Sequence, residues 1–122
     1  MTQNELTKVI FWQLIAFAKL EENPQTEFST SPVLFEFAKT KGIQNTLSVF
    51  KLLEKYNFLS TNSPTFQTIS LTQKAFSLEK NENIEKMIFE NNQLVDKAIQ
   101  KGNFDFVEDL KNENEVLKNL MR

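Results

Sequence analysis

Histidine and cysteine, the side chains that most often carry acid–base, nucleophilic and zinc chemistry near neutral pH, are both absent from this sequence. Ser/His/Asp and Cys/His catalysis and the common zinc sites therefore have no residues to build them. Carboxylates remain, but Glu21-Glu22 and Glu108-Asp109 are adjacent in sequence. On a helix the two members of each pair point to different faces and do not share a site. The single Tyr and single Trp have no acid–base neighbours, and two glycines are too few for a phosphate loop or a dinucleotide fingerprint. The inventory points to binding rather than catalysis, with no metal and no cofactor expected. The side chains best placed for binding are Lys39, Lys41, Lys51 and Lys55, whose ammonium groups can converge on a phosphate backbone.

The elements that must position those lysines are helical by composition. Two Gly and three Pro in 122 residues leave little for glycine-built turns, while 12 Phe supply apolar surface for a core. The apolar stretch from Val9 to Leu20 is broken by Gln13 and Lys19. It is too short to span a bilayer and lacks the basic leader and cleavage pattern of a signal peptide. Together with the missing cysteines, this gives the expectation of a cytoplasmic protein without a membrane partner. A net charge of −2 excludes a uniformly basic nucleic-acid coat but not a local patch.

Leu6, Val9, Ile10, Leu14, Phe17 and Ala18 recur at helical steps and predict a first helix over Asn4 to Glu22. Phe11, Trp12 and Ile15 make it apolar on nearly every side, which suggests burial on two sides, one of them a second subunit. Asn23-Pro24 ends it, and Gln25 to Thr30 crosses over. Ser31 as cap with Pro32 as first residue opens a second helix that stops at Gly42. A third begins near Asn45 or Thr46 and ends near Tyr56-Asn57, and the pair forms a helix-turn-helix unit. Phe58 to Ser60 and Phe66 to Leu71 read as a β-hairpin around Thr61-Asn62-Ser63-Pro64-Thr65. Thr72 can cap a further helix that breaks between Glu79 and Glu82. Two terminal helices follow, interrupted at Gly102-Asn103.

The run Ser48-Val49-Phe50-Lys51-Leu52-Leu53-Glu54-Lys55-Tyr56-Asn57-Phe58-Leu59, with Ile69-Ser70-Leu71-Thr72-Gln73-Lys74-Ala75, resembles winged-helix transcription regulators of the MarR-like and PadR-like sort. The resemblance implies a mainly α winged helix-turn-helix over residues 1–80, three helices plus a β-hairpin, with residues 81–122 as a helical extension for packing or dimerisation. Asn57 stands where such families usually have glycine, a mild change because Asn tolerates the left-handed conformation. By the same resemblance the third helix enters the major groove of double-stranded DNA. That makes Gln44, Asn45, Thr46, Ser48 and Lys51 groove-facing candidates, with Lys55 and Lys41 close to phosphates. Asn and Gln can pair with adenine edges, and Ser or Thr can reach phosphates or bases. The five residues from Thr61 to Thr65 include no cation, and residues 1–80 carry eight lysines against seven acids. Low charge favours the alternative, a winged-helix adaptor that binds protein without DNA.

In the last helix Val107, Leu110, Asn114, Leu117 and Met121 follow steps of three and four, a short heptad seam in which Asn114 takes a core position; two heptads are fewer than a convincing coiled coil needs, so the seam packs either within the chain against the first helix or between two copies. The expectation is a homodimer through Phe11, Trp12 and Ile15 of the first helix and Val107, Leu110, Asn114 and Leu117 of the last. Asn91-Asn92 reads as a helix joint or exposed surface.

Overall fold

The computed structural model describes residues 1–122 as six helices and one small three-stranded antiparallel sheet. The chain divides into two compact units, Met1–Phe76 and Ser77–Arg122, so the boundary follows Phe76 rather than Lys80.

In the first unit, helix α1 (Gln3–Lys19) opens on Thr2, whose hydroxyl accepts the Glu5 N–H at 3.1 Å. Glu5 in its first turn and Lys19 in its last both complement the helix dipole. Leu6, Ile10, Phe11, Leu14, Ile15 and Ala18 are all buried, a wider arc than one core stripe. The helix ends at Lys19 and not at Glu22. The Leu20 N–H turns back to the Phe17 carbonyl, and the Asn23 side chain accepts the Gln25 N–H at 3.1 Å across Pro24.

The crossover contains a strand that its two residues are too few to reveal by alternation. β1 (Phe28–Ser29) pairs antiparallel with β3 (Thr68–Leu71), Phe28 opposite Ile69 and Ser29 opposite Thr68. This strand explains why helix α2 (Ser31–Lys41) is capped differently from expectation. Thr30, not Ser31, is the cap residue, and its side chain makes no cap bond. Instead its buried hydroxyl donates to the Phe66 and Gln67 carbonyls, and its N–H bonds the Gln67 carbonyl at 2.9 Å. A helix cap has been exchanged for an extension of the sheet, and Pro32 in the first turn needs no N–H partner.

Helix α3 (Ile43–Lys55) starts at once after Gly42, earlier than Asn45. Gly42 sits at φ +87, which an L side chain rarely adopts, and this single residue makes the turn between α2 and α3. At the other end Asn57 takes φ +64. The Phe58 N–H reaches the Leu53 carbonyl at 2.9 Å and the Asn57 N–H the Glu54 carbonyl at 3.0 Å, while Leu53 and Phe58 are both buried. This is the left-handed helix ending with its hydrophobic contact, built on Asn in place of Gly.

β2 (Leu59–Ser60) completes the sheet in the order β1-β3-β2, Leu59 opposite Leu71 and Ser60 opposite Ser70. Leu59, Ile69 and Leu71 turn to the core while Ser60 and Thr68 face solvent, the alternation expected of a half-buried hairpin. Phe11 meets Phe58 edge-on at 5.9 Å, and Phe50 meets Phe66 at 5.8 Å. Helix α4 (Gln73–Ser77) starts from Thr72, whose hydroxyl accepts the Ala75 N–H at 3.3 Å and donates to the Asn57 carbonyl at 2.6 Å.

The second unit holds α5 (Asn81–Gln100) and α6 (Phe104–Leu120). Gly102 at φ +72 closes α5, with N–H bonds from Gly102 to Ile99 and from Asn103 to Ala98. Asn103 then caps α6 by accepting the Phe106 N–H at 3.3 Å. The two helices run antiparallel, since the Asn81 amide at the start of α5 exchanges two hydrogen bonds with the Arg122 backbone just beyond α6. Val95, Ala98, Val107 and Leu110 form the core of this hairpin. No helix is long and apolar enough to cross a membrane.

Candidate nucleic-acid interface

At 100° per residue, Gln44, Ser48, Lys51 and Lys55 fall on one stripe of α3, separated by four, three and four positions. All four are exposed. Asn45 lies beside the stripe and is exposed too, but its amide donates to the Lys41 carbonyl at 2.8 Å, and its own carbonyl accepts the Gln3 amide at 3.2 Å. Ser48 donates its hydroxyl to the Gln44 carbonyl one turn back at 2.8 Å. Lys55 stands 5.4 Å from the Tyr56 ring centroid, within cation–π range. Lys41, in the last turn of α2, is half-buried.

Thr46 does not belong to this face. It lies about 200° around the helix from Gln44, is fully buried, and donates its hydroxyl to the Gly42 carbonyl at 3.0 Å. Its role is to tie the first turn of α3 to the Gly42 turn. Adjacency in sequence groups it with Asn45, whereas the helical angle separates them.

A cleft of about 470 Å³ lies between α3 and the β2–β3 loop, lined by Lys51, Glu54, Thr61, Asn62, Ser63, Pro64 and Phe66. Most of the loop's polar groups are spent internally. Thr61 donates its hydroxyl to the Thr68 carbonyl at 2.6 Å and accepts the Ser63 N–H, while the Ser63 hydroxyl accepts the Gln67 N–H at 3.2 Å. Phe66, which closes the cleft, holds φ +57, a strained conformation for a bulky residue. Lys51 and Glu54 both line the cleft, one cation and one anion. The arrangement offers hydrogen-bond donors and acceptors plus a few ammonium groups, a set suited to recognition. Glu54, three positions from Lys51, follows from helical spacing, whereas nothing local places Asn62 in the cleft.

The residues expected to join two copies are largely spent within one chain. Phe11 and Ile15 are buried, and Trp12 is half-buried with its ring edge-on to Phe11 at 4.8 Å. Val107, Leu110, Asn114 and Leu117 are buried as well, so the heptad seam of α6 packs against α5 rather than waiting for a second chain. Asn114 accepts the Asn91 amide at 3.0 Å and donates to the Asn92 side-chain oxygen at 3.1 Å. Asn91 and Asn92 thus supply two members of a three-amide cluster, a role their sequence position alone does not disclose.

Compared with known proteins, the chain matches no family model, no curated protein and no solved structure.

Proposed function

We propose that the chain is a winged-helix DNA-binding regulator that acts as a dimer, in the cytoplasm, with α3 in the major groove of double-stranded DNA. The order α1-β1-α2-α3-β2-β3 and the pair of helices joined at Gly42 support the winged-helix reading. The observation that carries the function is the exposed stripe of Gln44, Ser48, Lys51 and Lys55 on the second helix of that pair. Gln44 is the base reader, since Asn45 has already bonded the Lys41 carbonyl at the end of α2 and Ser48 the Gln44 carbonyl of its own helix; Lys51, Lys55 and Lys41 neutralise phosphates. With so few cations, affinity falls only gently with salt.

The test is a mobility-shift or polarisation assay against duplexes from the protein's own genomic neighbourhood. Gln44→Ala should cost about 1–3 kcal/mol at the specific site and leave non-specific binding nearly unchanged. Lys51→Ala should weaken all sequences and lower the salt slope by about one. Binding to no duplex removes the reading. The cation-free loop and Glu54 beside Lys51 then favour a winged-helix adaptor that uses the same face for protein.

A further inference from the structure

At the turn end of the α5–α6 hairpin, within the second unit, a hollow of about 240 Å³ is lined by Leu94, Lys97, Ala98, Lys101, Asn103 and Phe106. Its apolar part is Leu94 and Ala98 from α5 and Phe106 from α6. Its polar part consists of donors: two ammonium groups and the Asn103 side chain, whose oxygen already accepts the Phe106 N–H and whose amide N–H groups are left over. Leu94, Lys97, Ala98 and Lys101 follow one another by three, one and three positions, so they share one face of α5. Lys97 and Lys101 are thus stacked one turn apart, and neither is paired with an acid. The nearest carboxylates in the chain lie on other faces or other turns. Asp96 is about 160° around α5 from Leu94, and Asp105 is about 100° around α6 from Phe106. Glu90 on α5 and Asp109 on α6 stand about one turn beyond Leu94 and Phe106, away from the hairpin turn. No carboxylate belongs to the lining.

We infer that this hollow binds an aliphatic carboxylate of medium chain length, its head group held by Lys97, Lys101 and the Asn103 amide and its chain laid against Leu94, Ala98 and Phe106. The inference is independent of the proposed function, since every residue of the site lies in the second unit and none on α3. Charge selects the head group. Two lysines one turn apart on a helix repel each other, and one cation in the last turn is enough to complement the helix dipole. An anion between them replaces that repulsion with two charge-assisted hydrogen bonds. A zwitterion or a cationic amphiphile finds no carboxylate in the lining to receive its ammonium group. Volume and length select the tail. Drug-sized ligands occupy about 300–1,000 Å³, so a hollow of about 240 Å³ takes something smaller. Leu94 and Lys101 are seven residues apart, about 10 Å along the helix, which matches the extended length of octanoate. A bare anion such as acetate gains the lysines but forgoes the apolar contact.

The experiment is titration of the full-length, isotope-labelled chain with octanoate, followed by amide chemical shifts. The shifts should be confined to residues 94–106 and saturate with a Kd on the order of 1 mM. Affinity should rise about two- to fourfold per methylene from butyrate to octanoate. Octylamine and octanol should bind at least about tenfold more weakly than octanoate. Lys97→Gln with Lys101→Gln should weaken octanoate about tenfold and leave the circular dichroism spectrum unchanged, since both side chains are exposed. The comparison among octanoate, octylamine and octanol needs no variant, so it decides the matter even where the double substitution disturbs the hairpin. No response at the hairpin turn at tens of millimolar octanoate overturns the inference. So do octylamine or octanol binding as tightly as octanoate, equal affinities for butyrate and octanoate, or an unchanged affinity in the folded lysine variant. Shifts spread over both units would mean surfactant action only and overturn it too. Binding to phosphatidylglycerol vesicles with no response to free octanoate would make the hollow a membrane contact and not a carboxylate site.

Discussion

Asn114 is buried in the α5–α6 hairpin with both ends of its amide engaged, by Asn91 on one side and Asn92 on the other. Replacing it by Ala removes two hydrogen bonds, each contributing about 0.5–1.5 kcal/mol. Asn91 is half-buried and Asn92 exposed, so both amides can turn to water, and the full cost of stranding them is not incurred. Alanine recovers about half a kcal/mol in helix propensity, which leaves a loss of about 1–2 kcal/mol. Replacement by Leu loses the same bonds but buries an apolar side chain contributing about 1.5–3 kcal/mol, with a similar propensity gain. Asn114→Leu should therefore be neutral or stabilising by about 1 kcal/mol, with a gap between the two variants of about 2 kcal/mol. Urea denaturation followed by far-ultraviolet circular dichroism measures both. A leucine variant as unstable as the alanine one would refute the reasoning. It would show that the three-amide cluster contributes more than its separate bonds, or that the site cannot accept a branched side chain.

Thr46→Val should lower stability by no more than about 1 kcal/mol, since only the bond to the Gly42 carbonyl is lost, and should leave DNA affinity unchanged; a selective affinity loss would return Thr46 to the interface. Asn57→Gly should raise stability by a few tenths of a kcal/mol, and Asn57→Ala should lower it by about 1 kcal/mol, because φ +64 penalises a Cβ that makes no compensating bond. Thermal melts of the pair decide the order. Phe66→Ala should cost about 3–5 kcal/mol, as for any buried Phe, because alanine keeps the Cβ that φ +57 penalises, and Phe66→Gly should cost no more than that; a glycine variant clearly less stable than the alanine one would mean the strain is negligible.

The helices were legible because their signals are local. Apolar residues at steps of three and four, Gly42, the Thr72 cap and the Gly102-Asn103 break each act within a turn or two of the chain. The hairpin was legible for the same reason, its loop being packed with turn formers. What escaped was settled by residues far apart in sequence. β1 is two residues long and exists because Phe28 finds Ile69 about forty positions away. Thr30 gives up its helix-capping role to carbonyls at Phe66 and Gln67. No local rule weighs a cap bond against a sheet bond that distant.

The same distinction governs the site. The stripe on α3 follows from spacing, and spacing also removes Thr46 once the helix is known to begin at Ile43. The fate of the other polar groups does not follow, because a hydroxyl or amide on a helix can bond water, a ligand or its own backbone with little difference in energy. Asn45 and Ser48 bonded backward, which leaves fewer free donors than the count of polar residues suggests. The apolar seam of α6 posed a similar ambiguity. Val107, Leu110 and Leu117 predict a partner helix, and nothing in a period of 3.5 says whether that helix lies in the same chain. A three-residue turn decided it, since Lys101-Gly102-Asn103 returns the chain at once and presents α5 at no entropic cost of association.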